Sequence, residues 1–282
     1  MSAKRFTIVT SNFNSGTLLL DTVHSVLNQT LVLRNPESIQ YIVLDAGSTD
    51  GSLEAALPLL DRDFVTILSK TDRGLYDGLA NAYEGSTGEL MGWINAGDFL
   101  YPAALETIDA VERDTGSKWM TGYNSFLNER GQVTRVTLPF RYRSALFECG
   151  LHGTQLPTLQ QESTWWHRDL LADFDWPRFR DFRLAGDFFL WQHLSKQTVP
   201  DIVHTTIGGF RRHENQLSGD FAQYRSELAA VCRKSSFFEQ IQASVDQVLW
   251  RTPDFCKHRL AASCHIRYSE VNHCWHRMRE RS

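Results

Sequence analysis

The sequence predicts an α/β protein whose central sheet is mostly parallel and is flanked by helices. Two observations lead to this fold class. Four short apolar runs occur in the first hundred residues, and each ends in small or polar turn residues. Segments with helical spacing of apolar residues separate these runs, and strands that alternate with helices favour a parallel sheet with right-handed crossovers.

The elements can be assigned in order along the chain. The predicted strands are 5–10, 40–44, 64–68 and 90–94, and the helices between them cover 17–29, a segment that ends at 60, and 75–84. Residues 102–116 are a polar loop or helix. Residues 119–123 and 132–138 alternate like half-exposed strands, and the turn at 128–131 predicts that they pair as a hairpin. The remaining pattern predicts helices at 168–174 and 184–194, a strand at 202–207, and helical structure from about residue 220.

The composition is that of an ordinary globular protein. A chain of 282 residues, 42% of them hydrophobic and 22% charged, can bury a sizeable core. The net charge of -4 argues against a nucleic-acid partner. Five cysteines without CxxC spacing are typical of free thiols in a reducing compartment. No apolar run approaches the roughly 20 residues that cross a bilayer, so a cytoplasmic protein is expected.

Carboxylates follow three of the predicted strands. Asp45, Asp72 and Asp98 each come just after an apolar run, and the carboxyl ends of parallel strands share one edge of the sheet. Three carboxylates that converge on one crevice require a cation or a hydrogen-bonded ligand. The alternative is that each is a separate turn residue or helix cap. The G-x-G-x-x-G, P-loop and G-x-S-x-G motifs are absent, so any nucleotide must be held by other loops.

Eight short motifs occur in order between residues 5 and 219. They are 9–14, 42–52, 71–78, 87–89, 93–98, 161–166, 185–191 and 209–218. Together they resemble the inverting family-2 glycosyltransferases of the GT-A fold, in particular the bacterial members that build polysaccharide or lipopolysaccharide. The resemblance implies a Rossmann-like GT-A domain at 1–219 and a C-terminal helical extension at 220–282. Residues 1–101 would form its nucleotide-sugar half and 102–219 its acceptor half.

The resemblance also implies roles for individual residues of the donor half. Ser11 and Asn14 would line the nucleoside pocket, Asp45 would bond to base or ribose, Asp72 and Arg73 would lie beside the nucleotide, and Asp77 and Asn95 near the donor sugar. Asn95-Ala-Gly-Asp98 occupies the place of the family's metal-binding Asp-x-Asp, so only Asp98 keeps a charge. The implied cofactor is a divalent cation, Mn²⁺ or Mg²⁺, at Asp98. His213 is the second implied contact, and its imidazole suits Mn²⁺ better.

The acceptor half supplies the implied catalytic base. Asp187 matches the residue that takes the proton from the acceptor hydroxyl during inverting transfer. The small residues Ala185 and Gly186 are expected to leave room for the acceptor. An N-cap for the following helix is the alternative role of Asp187. Glu162 is the rival base, and we assign it with Trp165 to the acceptor side, although burial in the core is the alternative for the tryptophan.

The function implied by the resemblance is transfer of a sugar from a nucleotide diphosphate, UDP above others, to a saccharide or lipid-linked saccharide. The enzyme would be cytoplasmic, with peripheral contact at the inner membrane face as a further expectation. Two other classes stay open, a sugar nucleotidyltransferase and a non-catalytic sugar-binding module. The former normally carries a glycine-rich, basic N-terminal phosphate loop, which Ser11-Asn-Phe-Asn14 is not. The latter has little use for both Asp98 and Asp187.

Overall fold

The computed structural model describes residues 4–69, 73–212 and 221–278, and it confirms a mixed α/β protein. The strands are β1 (Phe6–Asn12), β2 (Ile39–Asp45), β3 (Val65–Ser69), β4 (Leu90–Asn95), β5 (Phe99–Leu100), β6 (Trp119–Thr121), β7 (Asn124–Leu127), β8 (Val133–Thr137), β9 (Thr164–His167), β10 (Asp201–Val203), β11 (Gly208–Arg211), β12 (His265–Ser269) and β13 (Cys274–Arg277). The helices are α1 (Leu18–Leu27), α2 (Thr30–Arg34), α3 (Ser52–Leu60), α4 (Leu75–Glu84), α5 (Ala104–Thr115), α6 (Ser144–Glu148), α7 (Trp176–Phe179), α8 (Gly186–Ser195), α9 (Phe221–Val231), α10 (Phe237–Trp250) and α11 (Asp254–Leu260).

The main sheet has the order expected of a doubly wound protein in its first half. Over the described residues, nine strands pair in the order β13-β12-β10-β6-β9-β4-β1-β2-β3. β1 is parallel to both β2 and β4, and β2 is parallel to β3. β9 is antiparallel to both of its neighbours, β4 and β6. The mostly parallel sheet predicted from the sequence is therefore confirmed.

The predicted hairpin between residues 119–123 and 132–138 is wrong. β6 pairs with β9 and β10 in the main sheet. β8 pairs instead with β7, the strand directly before the turn, in a separate sheet of order β5-β11-β7-β8. A tight turn joins the two strands that flank it, and β6 is fully buried, so its apolar residues are needed in the main sheet.

The C-terminal segment contains strands as well as the helices predicted for the extension at 220–282. Helices α9 to α11 are present, but two strands then join the edge of the main sheet. β12 pairs in parallel with β10, and β13 pairs antiparallel with β12. Arg277 on β13 donates from Nη2 to Asp201 Oδ2 at 2.7 Å, which ties this edge to β10. The predicted helix at 168–174 is also shorter, a 3₁₀ turn at Arg168–Leu171.

Two hydrophobic cores cover the two faces of the main sheet, and adjacent tryptophans of β9 belong to different ones. Trp166 packs with Trp93 and Trp191 in one core. Trp165 packs with Phe6 in the other, their ring centroids 5.7 Å apart. Successive side chains of a strand point to opposite faces, so each tryptophan is buried in the core on its own face of the sheet. Among the described residues, no helix has the length and apolarity to cross a membrane.

Candidate active site

Polar residues meet where β1 and its two parallel neighbours end. The strand pairing puts Asn12 opposite Asp45 of β2, and Ser11 opposite Asn95 of β4. Asp98 follows β4 after a short turn, which is fixed to α1 because Thr22 Oγ1 donates to the carbonyl of Asp98 at 2.6 Å. Parallel strands therefore bring the ends of three segments of the chain together at one edge of the sheet.

Asp45 organises the loops at this edge. Its Oδ1 accepts from Asn12 Nδ2 at 2.8 Å and from Ser48 Oγ at 2.6 Å, and its Oδ2 accepts from the N–H groups of Gly47 and Ser48. Burial raises the pKa of Asp45, but the hydrogen bonds from Ser48, Asn12 and Gly47 outweigh it, so the pKa lies below its usual range. Both carboxylate oxygens of Asp45 accept hydrogen bonds from the protein, so Asp45 holds the loop that follows β2 in place. Its contact with a base or ribose stays a prediction.

The loops after β1 and β2 are joined to each other through Asn14. This residue has a φ of 48°, in the left-handed region that asparagine tolerates. Its N–H donates to Ser48 Oγ at 3.0 Å, and its side-chain oxygen accepts from the N–H of Thr49 at 2.9 Å. Asp50 adds a bond from the N–H of Gly16 at 2.7 Å. The two loops therefore form one fixed surface beside the strand ends, and Asn14 is exposed on it.

Asn95 is held at both ends of its side-chain amide. Ser11 Oγ donates to Asn95 Oδ1 at 2.7 Å, and Asn95 Nδ2 donates to Gln161 Oε1 at 3.1 Å. Gln161 in turn donates from Nε2 to the carbonyl of Trp93. The sequence motif pointed to the segment that contains Gln161 but gave no role to this side chain, because its partners lie on a strand that is distant in sequence.

Asp98 and Glu162 are buried next to each other. Asp98 is 4% exposed, and its Oδ1 accepts from the N–H of Arg211 at 2.9 Å. Burial raises the pKa of Asp98 to about 7, although Arg211 opposes the shift. Glu162 is 2% exposed, and burial together with the charge of Asp98 raises its pKa well above the usual range. Glu162 therefore lies beside Asp98, the predicted metal contact. Its predicted role on the acceptor side did not suggest this position.

Asp187 lies in the first turn of α8 and is only partly exposed. Burial raises its pKa to about 6, although the N–H of Phe188, which donates to Oδ1 at 2.7 Å, opposes this. The alternative role as N-cap is not what the structure has, because the N-cap residue is Ala185. Glu227 of α9 caps this helix instead, accepting from the N–H groups of Leu184 and Ala185 at 2.9 and 2.8 Å.

Tyr76 places Asp187 at the same edge of the sheet as Asp98. α4 begins six residues after β3 ends at Ser69, so its first turn lies near the carboxyl end of that strand. Tyr76 belongs to this turn, and a Cβ at Gly186 would collide with its ring. The expectation that Ala185 and Gly186 leave room for an acceptor is therefore wrong, because the ring of Tyr76 fills that space.

Ion pairs surround Asp77, on the same first turn of α4. Its Oδ1 accepts from Arg73 Nη2 at 3.2 Å and from Arg180 Nη1 at 2.9 Å. Burial raises the pKa of Asp77, but the two arginines outweigh it and hold the value at about 2. Arg73 is 66% exposed and keeps donors for another anion. Arg180 could not be predicted as a site residue from the sequence, since it lies in no recognisable motif.

Of the remaining predicted site residues, one is buried in the core and two cannot be located. Trp165 is 2% exposed and packs against Phe6 and Gly92, so its assignment to the acceptor side is corrected to a core position. Asp72 and His213 lie outside the described residues. Within residues 4–69, 73–212 and 221–278, no group of three or more His, Cys, Asp or Glu side chains is arranged to hold a metal ion. Asp98 and Glu162 nevertheless offer carboxylate oxygens, the donors that Mg²⁺ and Mn²⁺ prefer.

Comparison with known proteins shows which family model the chain matches and which solved structures share its fold. A model of glycosyl transferase family 2 matches residues 7–142. The structure of S. aureus TarS superposes with a TM-score of 0.62 and 13% identity, covering 95% of this chain and 44% of TarS. A 1–349 fragment of TarS in complex with UDP-GlcNAc gives 0.59 and 12%, covering 92% of this chain and 70% of the fragment. A search of curated protein sequences finds no match.

A second kind of donor occurs among the similar structures. The mannosyltransferase PcManGT from Pyrobaculum calidifontis, in complex with GDP-Man and Mn²⁺, has a TM-score of 0.55 and 16% identity, covering 88% of this chain and 71% of PcManGT. Identities this low show a shared fold, and the chain spans less than half the length of TarS. Residues 7–142 match the model of glycosyl transferase family 2, and the chain shares the GT-A fold of these glycosyltransferase structures.

Proposed function

We propose that this chain is an inverting glycosyltransferase that uses a nucleoside diphosphate sugar, with UDP as the preferred nucleotide. The acceptor would be a saccharide or a lipid-linked saccharide in the synthesis of a surface polysaccharide. The observation that carries the proposal is that two carboxylates with raised pKa values, the buried Asp98 and the partly exposed Asp187, lie near the carboxyl ends of strands of one sheet. Residues 7–142 of the same chain match the family-2 model. Similar structures that hold UDP-GlcNAc and GDP-Man support a nucleotide-sugar donor.

The donor would bind across the ends of β1, β2 and β4. The surface formed by the loops after β1 and β2 presents Asn14 to the nucleoside, and Ser11 and Asn95 lie where the ribose and sugar would follow. The exposed guanidinium of Arg73 would approach the phosphates, with Asp72 beside it. A divalent cation held by Asp98, with His213 as the contact predicted from the sequence, would neutralise charge on the leaving diphosphate.

Asp187 would act as the general base. Inverting transfer needs one carboxylate to remove the proton from the acceptor hydroxyl while its oxygen attacks the anomeric carbon opposite the diphosphate. A pKa of about 6 leaves most of the Asp187 side chains ionised at neutral pH and makes them a stronger base than an ordinary aspartate. The fixed positions of Tyr76 and Glu227 around the first turn of α8 would keep the carboxylate in place between transfers.

A thermal-shift experiment with UDP, GDP and ADP, each with and without Mn²⁺, tests the proposal. A ligand at about 100 times its Kd adds about 2.7 kcal/mol of stability, which corresponds to a rise in Tm of about 5 °C for a chain of this size. We expect this rise with UDP and Mn²⁺, and a smaller rise with GDP, the nucleotide of the PcManGT complex.

Two aspartate variants provide the controls. Asp98→Asn should retain a response to UDP alone and lose the part that depends on Mn²⁺, since its carboxylate is the predicted metal contact. Asp63→Asn, an exposed position on the far side of β3 from its carboxyl end, should behave as the wild type. If no nucleoside diphosphate raises the Tm of the wild type under any of these conditions, the proposed function is wrong.

A further inference from the structure

A second buried carboxylate, Glu162, lies beside Asp98, so two negative charges have to be compensated at this place. Asp98 and Glu162 are 4% and 2% exposed, and the charge of one acts on the other. Two buried carboxylates repel each other unless a positive charge or a shared proton compensates. The guanidinium of Arg211 donates from Nη1 to Asp21 Oδ2 at 2.7 Å, and Arg211 meets Asp98 through its backbone N–H.

The chain holds Glu162 at this place from two sides. Gln161–Ser163 is a single 3₁₀ turn, and a Cβ at Gly208 would collide with the carbonyl of Glu162, so β11 packs directly on the turn. Ser163 Oγ donates to the carbonyl of Gly208 at 3.1 Å and accepts from its N–H at 3.2 Å. On the other side, Gln161 is bonded to Asn95 and to β4. The backbone of Glu162 is therefore fixed between β4, which precedes Asp98, and β11, which carries Arg211.

The carboxylate of Glu162 keeps an oxygen free for a ligand. Its Oε1 is buried and, within the described part of the chain, has no hydrogen-bond donor. Buried carboxylate oxygens normally have a partner, because an unsatisfied one costs free energy. At Asp98, the bond from Arg211 engages Oδ1 and leaves Oδ2 for another contact. Open oxygens on two adjacent buried carboxylates are the donor set of a hard divalent cation.

We propose that Glu162 is a second protein ligand of the divalent cation that binds at Asp98. The inference rests on the proposed function, because the diphosphate of the donor would supply further oxygen ligands to a site where the described residues offer two carboxylates. It also accounts for Asn95, which removes one negative charge from the Asp-x-Asp position. Glu162 restores that charge from the 3₁₀ turn before β9, so the site keeps two carboxylates although its motif has only one.

Replacement of Glu162 by glutamine tests this directly, because the amide has the shape of the acid but no charge. Mn²⁺ binding in the presence of UDP is measured from the electron paramagnetic resonance signal of the free ion. We expect Glu162→Gln to weaken binding by at least about 10- to 100-fold, the loss typical when even an indirect partner of a metal is removed. The metal-free variant should be as stable as the wild type or more stable, because removing one of two buried like charges relieves repulsion.

The control and the opposite outcomes separate this inference from the proposed function. Glu37→Gln, at a side chain that is 75% exposed, should leave Mn²⁺ binding unchanged. If Glu162→Gln binds Mn²⁺ as tightly as the wild type, Glu162 is a neutral structural acid and the inference is wrong. The same holds if the wild type binds UDP but gains nothing from Mn²⁺. Absence of any nucleoside diphosphate binding to the wild type, with or without the ion, would instead contradict the proposed function.

Discussion

Replacing Asp187 by asparagine is expected to reduce turnover by about 10²- to 10⁴-fold, the contribution typical of a positioned general base. The substitution keeps the size of the side chain and its bond from the N–H of Phe188, so donor binding should persist. Release of UDP from a UDP-sugar in the presence of an acceptor gives the rate, and the thermal shift with UDP gives the binding. A sugar-binding module would show no rate to lose.

The pH dependence of the wild type gives a second readout of the same residue. The pKa of Asp187 is raised to about 6 by burial, and only the ionised carboxylate accepts a proton. With Mn²⁺ saturating, so that Asp98 stays ionised, we therefore expect kcat/KM to fall tenfold for each pH unit below about 6 and to be level above it. Asp63→Asn should retain this profile. An unchanged rate in Asp187→Asn would assign the base to another residue, with Glu162 as the rival.

Truncation of Trp191 to alanine is expected to lower the free energy of unfolding by about 3–5 kcal/mol. Trp191 is fully buried, and it stacks on Trp93 with ring centroids 5.8 Å apart and an interplanar angle of 4°. It also stacks on Trp119 at 5.8 Å. A protein of this kind is stable by only about 5–15 kcal/mol, so the loss is a large fraction of the total.

Urea unfolding measures this loss as a lower midpoint with an unchanged m value. Phe238→Ala is the matched control, because this aromatic residue is 80% exposed and its truncation should change stability by no more than about 0.5 kcal/mol. Trp191 follows Asp187 by one turn of α8, so the alanine variant should also lose activity as the helix shifts. A loss of stability below about 1 kcal/mol would contradict the packing described for this core.

The first half of the fold could be predicted from the sequence because three of its four strands, β1, β2 and β4, are buried along nearly their whole length. Such strands are continuous apolar runs with polar ends, and β1 to β4 begin and end within two residues of the predicted bounds. The strands of the second half have weaker sequence patterns. β12 and β13 carry histidine and arginine at several positions. These polar residues hide the alternation of apolar side chains by which a strand is recognised in a sequence.

The candidate site residues that belong to recognisable motifs could be named from the sequence, and the contacts that depend on the fold could not. The sequence predicted Asp98 just after a buried strand and Asp187 at the start of a helix, and the structure has β4 ending at Asn95 and α8 beginning at Gly186. The sequence could not pair Glu162 with Asp98, because that contact depends on the antiparallel insertion of β9 between β4 and β6. Nor could it show that Tyr76 fills the space beside Gly186, or which face of the sheet receives Trp165.

A crystal structure of the chain grown with UDP and Mn²⁺, with anomalous data collected at the manganese edge, tests the proposed site most directly. We expect one strong anomalous peak in contact with the carboxylates of Asp98 and Glu162 and with the diphosphate. The uridine should lie against the loops that follow β1 and β2, with Asp187 facing the open side of the β-phosphate. Nucleotide bound elsewhere on the chain, or manganese remote from Asp98, would contradict the proposed site.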